Sequence, residues 1–320
     1  MREAAFELRL CAHLERRDGV VARQLGASVG GGHRVMDVVR VTPGPEFGKR
    51  VALSADTIPP AAVAADASVA EWRAVTDAFD LSPSHARAVA ERAAEAGFFE
   101  TTVRDGTMQV RRAARYPDWA GSLVGVENKP DLGTPGDLAT QLRKDVSLGL
   151  FDRVILATES YVTGAHLHRI PEAVGVWRVD FDAEDPIDVV REPSPLTPDT
   201  PGIQVVERHA NRTEIRVAHA EAKARQRRRV AERAYGKGWR PAAFPDCARV
   251  APTVEAETPL PDCDFEGRVV APGADCGPDC PGHEAAPAPA YDPEAERERR
   301  TAWRADAGQA REQSGLDRFR

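Results

Sequence analysis

At 320 residues the chain is long for one domain, and its 42% hydrophobic content is enough to bury a core, which excludes a wholly disordered protein. No apolar run approaches the roughly 18 residues of a membrane helix, and the charged N-terminus lacks the apolar stretch of a secretion signal, so a cytoplasmic protein with no membrane partner is expected. The net charge of −7 resides in residues 241–320, which hold 16 acidic and 9 basic residues; residues 1–240 are neutral overall, and bulk acidity is no bar to a nucleic-acid partner.

Residues 3–16 place Phe6, Leu10 and Leu14 at helical spacing, which predicts an amphipathic helix broken by Asp18-Gly19. Residues 20–25 and 34–41 are β-type runs separated by Gly30-Gly31-Gly32, so a helix followed by a hairpin is expected. Residues 52–115 differ in character. The spacing predicts helices over 69–80 and 85–97, then two strands (98–103 and 107–112) joined at Asp105-Gly106, a tight-turn signal. Helix, turn, helix and hairpin resemble a winged helix-turn-helix across about 45 residues.

The alternation of apolar strand and helix resumes at Gly121. A strand over 122–129, a helix over 134–148 with Pro135 in its first turn, and strands over 153–158, 175–181 and 187–191 predict a sheet with parallel pairs at its centre. Residues 164–170 read as a short helix, on which His166 and His168 stand two apart and cannot share a face. Residues 205–240 hold eleven Lys/Arg against four Glu and contain a basic helix. Beyond Pro241 the chain is acidic and rich in Pro and Ala, and a largely disordered tail with a Cys-bearing portion is expected. The expected organisation is thus an α/β domain formed from residues 1–51 and 116–240, an insertion over 52–115, and a tail over 241–320.

One aspartate on a strand (Asp37 in VMDVV), a Glu-x-Lys on a later strand (Glu127 and Lys129 in GVENK) and a glutamine on the next helix (Gln141) form the constellation with chemical content. Strand alternation sends Glu127 and Lys129 to one face, and two carboxylates suit Mg²⁺, which keeps waters and phosphate oxygens as its other ligands. This set resembles the PD-(D/E)XK nuclease superfamily, as does the order helix–strand–strand–strand–helix–strand. The resemblance covers roughly residues 3–50 and 120–192. It implies a restriction-endonuclease-like mixed sheet flanked by helices, Mg²⁺ or Mn²⁺ on Asp37 and Glu127, and Lys129 assisting hydrolysis of DNA. It also implies a role for Glu7 on the first helix and for the Asn128 carbonyl as a further ligand. Gln141 matches the helix glutamine of the exonuclease-like branch, but Asp145 stands where that branch has tyrosine. A homodimer is implied for an enzyme of this fold that cuts both strands. As a whole the chain also resembles a haloarchaeal protein family of unassigned activity.

With the fold so read, Arg87 and Arg92 on the insertion's second helix would enter a DNA groove, with Arg104, Arg111 and Arg112 of the wing on phosphate. The bland reading is a helical insertion that packs on the core. Arg227, Arg228 and Arg229 of the basic helix are either phosphate contacts or a solvated face. An odd count of five cysteines argues against a disulfide framework. Cys247, Cys263, Cys276, Cys280 and His283 suit Zn²⁺, an iron–sulfur cluster that includes Cys11 is the alternative, and unliganded tail cysteines are the third reading. Neither a Walker A loop nor a Gly-x-Ser-x-Gly elbow is present. A non-catalytic DNA-binding regulator that uses the winged helix is the competing function. A protein-interaction scaffold is a third.

Overall fold

The computed structural model of the protein describes residues 2–15, 19–30, 32–134, 136–209 and 211–300. Helix α1 (Glu3–Glu15) runs along a six-stranded sheet that opens with β1 (Val20–Gly26) and β2 (Val35–Pro43). After α2 (Phe47–Leu53) comes the insertion: α3 (Pro60–Ala64), β3 (Arg73–Ala74), α4 (Val75–Ala78), α5 (Pro83–Glu95), β4 (Phe99–Arg104) and β5 (Thr107–Arg112). The sheet resumes with β6 (Ala120–Asn128), crosses through α6 (Leu138–Leu148) to β7 (Arg153–Thr158), and through α7 (Gly164–Arg169) to β8 (Gly175–Val179) and β9 (Ile187–Arg191). A hairpin of β10 (Gly202–Arg208) and β11 (Thr213–Ala218) leads into α8 (Ala220–Lys237). Strands β12 (Val250–Glu255), β13 (Thr258–Cys263) and β14 (Arg268–Val269), then α9 (Pro293–Arg300), end the described chain.

The strand order of the central sheet is β1-β2-β6-β7-β8-β9, antiparallel from β1 to β6, parallel from β6 to β8, with β9 antiparallel at the edge. The two helical crossovers account for the parallel pairs, since parallel strands need a long connection. Alternation along the strands feeds two cores. Val39 and Val41 join Leu142, Val230 and Tyr235 on the side of α6 and α8, while Val38 and Val126 join Phe6, Leu8 and Leu10 of α1.

Helix α1 is covered on nearly every side, because the sheet of β12, β13 and β14 packs on it: Leu260, Val269 and Ala271 share its core. Arg9 and His13 both reach Glu255, at 2.7 and 3.0 Å. The expected disordered tail is therefore corrected across residues 250–269, where alternating apolar residues were masked by Pro and acidic neighbours. Residues 301–320, Pro135 and Gly31, on which sequence expectations also fell, lie outside the described residues.

The insertion has its own core, with Ala86, Val89 and Ala93 of α5 against Phe79, Phe98, Phe99 and Val110. Its three strands pair in the order β3-β5-β4, and the β4–β5 turn has Asp105 and Gly106 at φ 50° and 71°, as the Asp-Gly pair predicts. The helix expected over 69–80 forms only as the single turn of α4. Arg73 and Ala74 instead pair with Val110 and Gln109, a non-local ladder that outcompetes a short isolated helix. Where α2, α3 and α8 meet, buried Arg50 donates to Glu232 (Nε to Oε2, 3.0 Å), which also accepts from Tyr116 Oη at 2.6 Å and Ile58 N at 2.8 Å. Among the described residues no helix is long and apolar enough to cross a membrane.

Candidate active site

The antiparallel register that pairs Val38 with Val126 sets Asp37 against Glu127 across β2 and β6. Like charges directly opposed on neighbouring strands repel; Glu127 is buried and Asp37 half-buried. Burial is the main cause that raises the Glu127 and Asp37 carboxyls above their ordinary range, and their mutual repulsion adds to it for Glu127. The Asn128 backbone N–H donates to Asp37 Oδ2 at 2.9 Å and partly offsets this.

Glu7 reaches the same cluster from α1 and is 3% exposed. Its Oε2 accepts from Gln24 Nε2 at 2.6 Å and Asn128 Nδ2 at 3.1 Å, and its Oε1 from Arg23 at 3.3 Å. Burial pushes the Glu7 carboxyl up to about 7, against its ordinary 4.5. Gln24 lies opposite Asp37 in the β1–β2 register and donates to Asp37 Oδ1 at 3.3 Å, so one carboxamide bridges two carboxylates. It does so with φ 55°, a left-handed conformation that costs a non-glycine residue about 1–3 kcal/mol and recurs at functional sites. Lys237 Nζ clamps this backbone by donating to the carbonyls of Arg23 and Gln24 at 2.8 and 2.9 Å.

On the other side of Glu127, Arg34 lies between two carboxylates. It donates to Glu127 Oε2 at 2.6 Å and to Asp145 through Nε at 2.9 Å and Nη2 at 2.6 Å. Asp145 follows Gln141 by one turn of α6, so both face the sheet, and both line a cleft of about 800 Å³ with Arg34, Asp37, Glu127 and Lys144. The β10–β11 hairpin walls this cleft with Arg216, which donates to the Gly30 carbonyl.

The sequence-selected residues thus separate. Asp37, Glu127, Glu7 and Gln141 converge on the cleft and the cluster behind it. Lys129 lies one residue beyond β6 and its Nζ pairs with Glu3 at the start of α1, not with Glu127. Glu3 is close enough to raise the Asp37 carboxyl, so the ammonium stands at the rim of the cluster. Gln24, Arg34 and Asp145 were missed by sequence reasoning. The i to i+4 spacing from Gln141 was the available signal for Asp145, whereas Arg34 and Gln24 depend on cross-strand placement that no local pattern carries.

Of the basic residues, Arg87, Arg92 and Arg104 are exposed, and Arg104 and Arg111 flank the Trp72 ring at 5.9 and 4.7 Å, with Arg111 also held by Glu100 at 2.9 Å. Arg112 caps the carbonyls of Val63 and Ala65 at 2.9 and 2.7 Å, and Arg227 holds the Leu150 carbonyl at 2.7 Å and Asp152 at 2.8 Å, so both guanidiniums are engaged within the protein. Arg228 and Arg229 are exposed and, with Arg225, line a second cavity of about 360 Å³ that shares Gly30 with the cleft. Cys11 is buried within α1 and does not line the cavity formed by the other four cysteines, which removes it from any shared cluster.

The donor set around Asp37 and Glu127 fits a hard divalent cation. It is all oxygen, it contains two opposed carboxylates that need positive charge, and a wide cleft leaves room for waters and phosphate oxygens. Among the described residues the trio with ligand atoms all within 4.8 Å is Glu207, His209 and Glu214, exposed on the β10–β11 hairpin.

The raised Glu7 carboxyl has a pH signature. Its folded-state value lies above its unfolded value, so its stabilising contribution is complete below about pH 4.5 and is lost as pH rises through about 7. The metal-free protein is expected to lose melting temperature across that window, and Glu7→Gln to flatten the slope. An unchanged slope in Glu7→Gln would show that Glu7 ionises without penalty.

Fold and site together define a mixed α/β protein with a buried acidic cluster beside the junction of its antiparallel and parallel strands. The chain belongs to a family of unknown function (DUF5787), whose model matches residues 20–285. No curated protein and no solved structure matches it.

Proposed function

We propose that the chain is a metal-dependent nuclease of PD-(D/E)XK type that hydrolyses DNA phosphodiester bonds. The observation that carries this reading is the meeting of Asp37 and Glu127 across β2 and β6, with Lys129 just beyond β6 and Glu7 behind the pair. The element order α1-β1-β2-β6-α6-β7 supports it, being that of the restriction-endonuclease-like core. Asp37 and Glu127 would hold Mg²⁺ or Mn²⁺, which offsets charge on the phosphate. Lys129, released from exposed Glu3, would orient the attacking water and stabilise the developing negative charge. Gln24 and the Asn128 N–H hold Asp37 in place, Glu7 anchors that Gln24, and Arg34 keeps Glu127 oriented against Asp145.

DNA is the proposed partner. The order α3-β3-α4-α5-β4-β5 is that of a winged helix, with Arg87 and Arg92 exposed on α5 and Arg104 near the wing turn. Arg225, Arg228 and Arg229 continue the basic surface from the cleft past Gly30. Arg228→Ala with Arg229→Ala is expected to weaken DNA binding for all sequences alike. It should also lower the salt slope by about 0.9 for each phosphate no longer neutralised. A slope that does not change would remove α8 from the interface. Cutting both strands would require a pair of chains.

The second reading, a DNA-binding regulator without catalysis, is favoured by the engagement of Lys129 with Glu3 and of Glu127 with Arg34. Cleavage of supercoiled plasmid and of a labelled four-way junction with Mg²⁺ or Mn²⁺, at low and high salt, separates the two. Cutting that is lost on chelation and in Lys129→Ala supports the nuclease. Binding without cutting, unaltered by Lys129→Ala, supports the regulator.

A further inference from the structure

Four of the chain's five cysteines, spread from residue 247 to residue 280, converge on one small cavity of about 150 Å³ in the C-terminal module. Cys247 lies in a short bridge to Ala285, Cys263 ends β13, and Cys276 and Cys280 lie in the turns after β14. His283 lines the same cavity, placed by a turn in which its N–H donates to the Cys280 carbonyl at 2.9 Å. The local core consists of Cys247, Val250, Cys263 and Val270 with Cys276 against them, so thiols supply most of what should be apolar packing.

The local core is small for the length of chain around it. Residues 270–285 have almost no regular secondary structure, and modules of this size are ordinarily held by disulfides or a metal. The four cysteines are free thiols, so disulfides do not hold this one. The Glu284 N–H already donates to Cys247 Sγ at 3.4 Å, a contact that would stabilise a thiolate.

We infer that Cys247, Cys263, Cys276 and Cys280 form a structural Zn²⁺ site, with His283 at its rim. Zinc fits the mixed sulfur and imidazole lining, and a four-thiolate tetrahedral set closes its coordination without a position for catalysis. Among the described residues no three of these sulfurs lie within 4.8 Å of one another, so a bound ion would require the turns after β14 to close onto β13. Because that sheet packs on α1, the site stabilises the helix that carries Glu7.

The test is the metal content of the full-length protein by elemental analysis, joined to cobalt titration of the demetallated chain. Expected are one zinc per chain, thiolate-to-cobalt charge-transfer absorption that zinc abolishes, and a lower melting temperature after chelation. Cys280→Ser, at a half-exposed position, should weaken cobalt binding and reduce the charge-transfer band, and Cys11→Ala should leave both unchanged. Should Cys280→Ser fail to fold, thiol labelling of the wild type decides: four thiols protected by zinc and released by a chelator support the site. Iron with acid-labile sulfide, a disulfide mass shift, or four thiols equally reactive with and without chelator would each overturn the zinc assignment.

Discussion

Asp37→Asn and Glu127→Gln are each expected to lower Mg²⁺-dependent cleavage by at least about 10²–10³-fold while raising the melting temperature of the metal-free protein. The two effects have one cause. Both carboxyls are held above their ordinary range by burial, so their ionised forms are penalised in the fold near neutral pH, and a neutral amide of the same shape removes that penalty. The same substitutions remove the charge that a divalent cation requires. A gain of 1 kcal/mol corresponds to about 2–4 °C in a domain of roughly 150–250 residues. Arg34 retains Asp145 in the Glu127→Gln protein, so no buried guanidinium is orphaned. Melting curves beside plasmid cleavage check both parts. Lost activity with lost stability would mean that the pair is structural.

Glu232→Ala is expected to destabilise the fold by about 3–5 kcal/mol, because it strands the fully buried guanidinium of Arg50. Glu232 accepts from Arg50, Tyr116 and Ile58, and Tyr116 in turn accepts from Trp119 Nε1 at 2.8 Å. The network ties α8 to α2 and to the entry of the insertion. Arg50 also spans the carbonyls of Ser54 and Asp56 at 2.6 and 2.8 Å. The double substitution Arg50→Met with Glu232→Leu should cost clearly less than either single removal, since it leaves neither charge unpaired. Denaturant unfolding of the three variants measures this. A Glu232→Ala cost below about 1 kcal/mol would show that water or another group replaces the carboxylate.

The central sheet was legible because its strands are short apolar runs and its crossovers have clear helical spacing. Asp37 and Glu127 were legible for the same reason: each is a lone carboxylate inside such a run. The β10–β11 hairpin was not, because its Val205, Val206, Ile215 and Val217 alternate with charged residues that merge in sequence with the basic helix after them. The β12–β13 pair was hidden by prolines within its strands, at Pro252, Pro259 and Pro261. That Arg112 and Arg227 hold main-chain carbonyls was also hidden, because charge in a sequence carries no record of the carbonyls it will meet. Lys129 shows the limit of strand alternation: the rule holds to Asn128, where β6 ends, and the next side chain turns to Glu3.

The proposed hydrolysis depends on uptake of a divalent cation by Asp37 and Glu127. Calorimetric titration of the full-length protein with Mn²⁺, beside Asp37→Asn and Glu127→Gln, measures it directly. Saturable binding in the wild type, lost in both variants and weakened as pH falls below about 7, is the expected result. Equal binding in all three proteins, or none in the wild type, would contradict it.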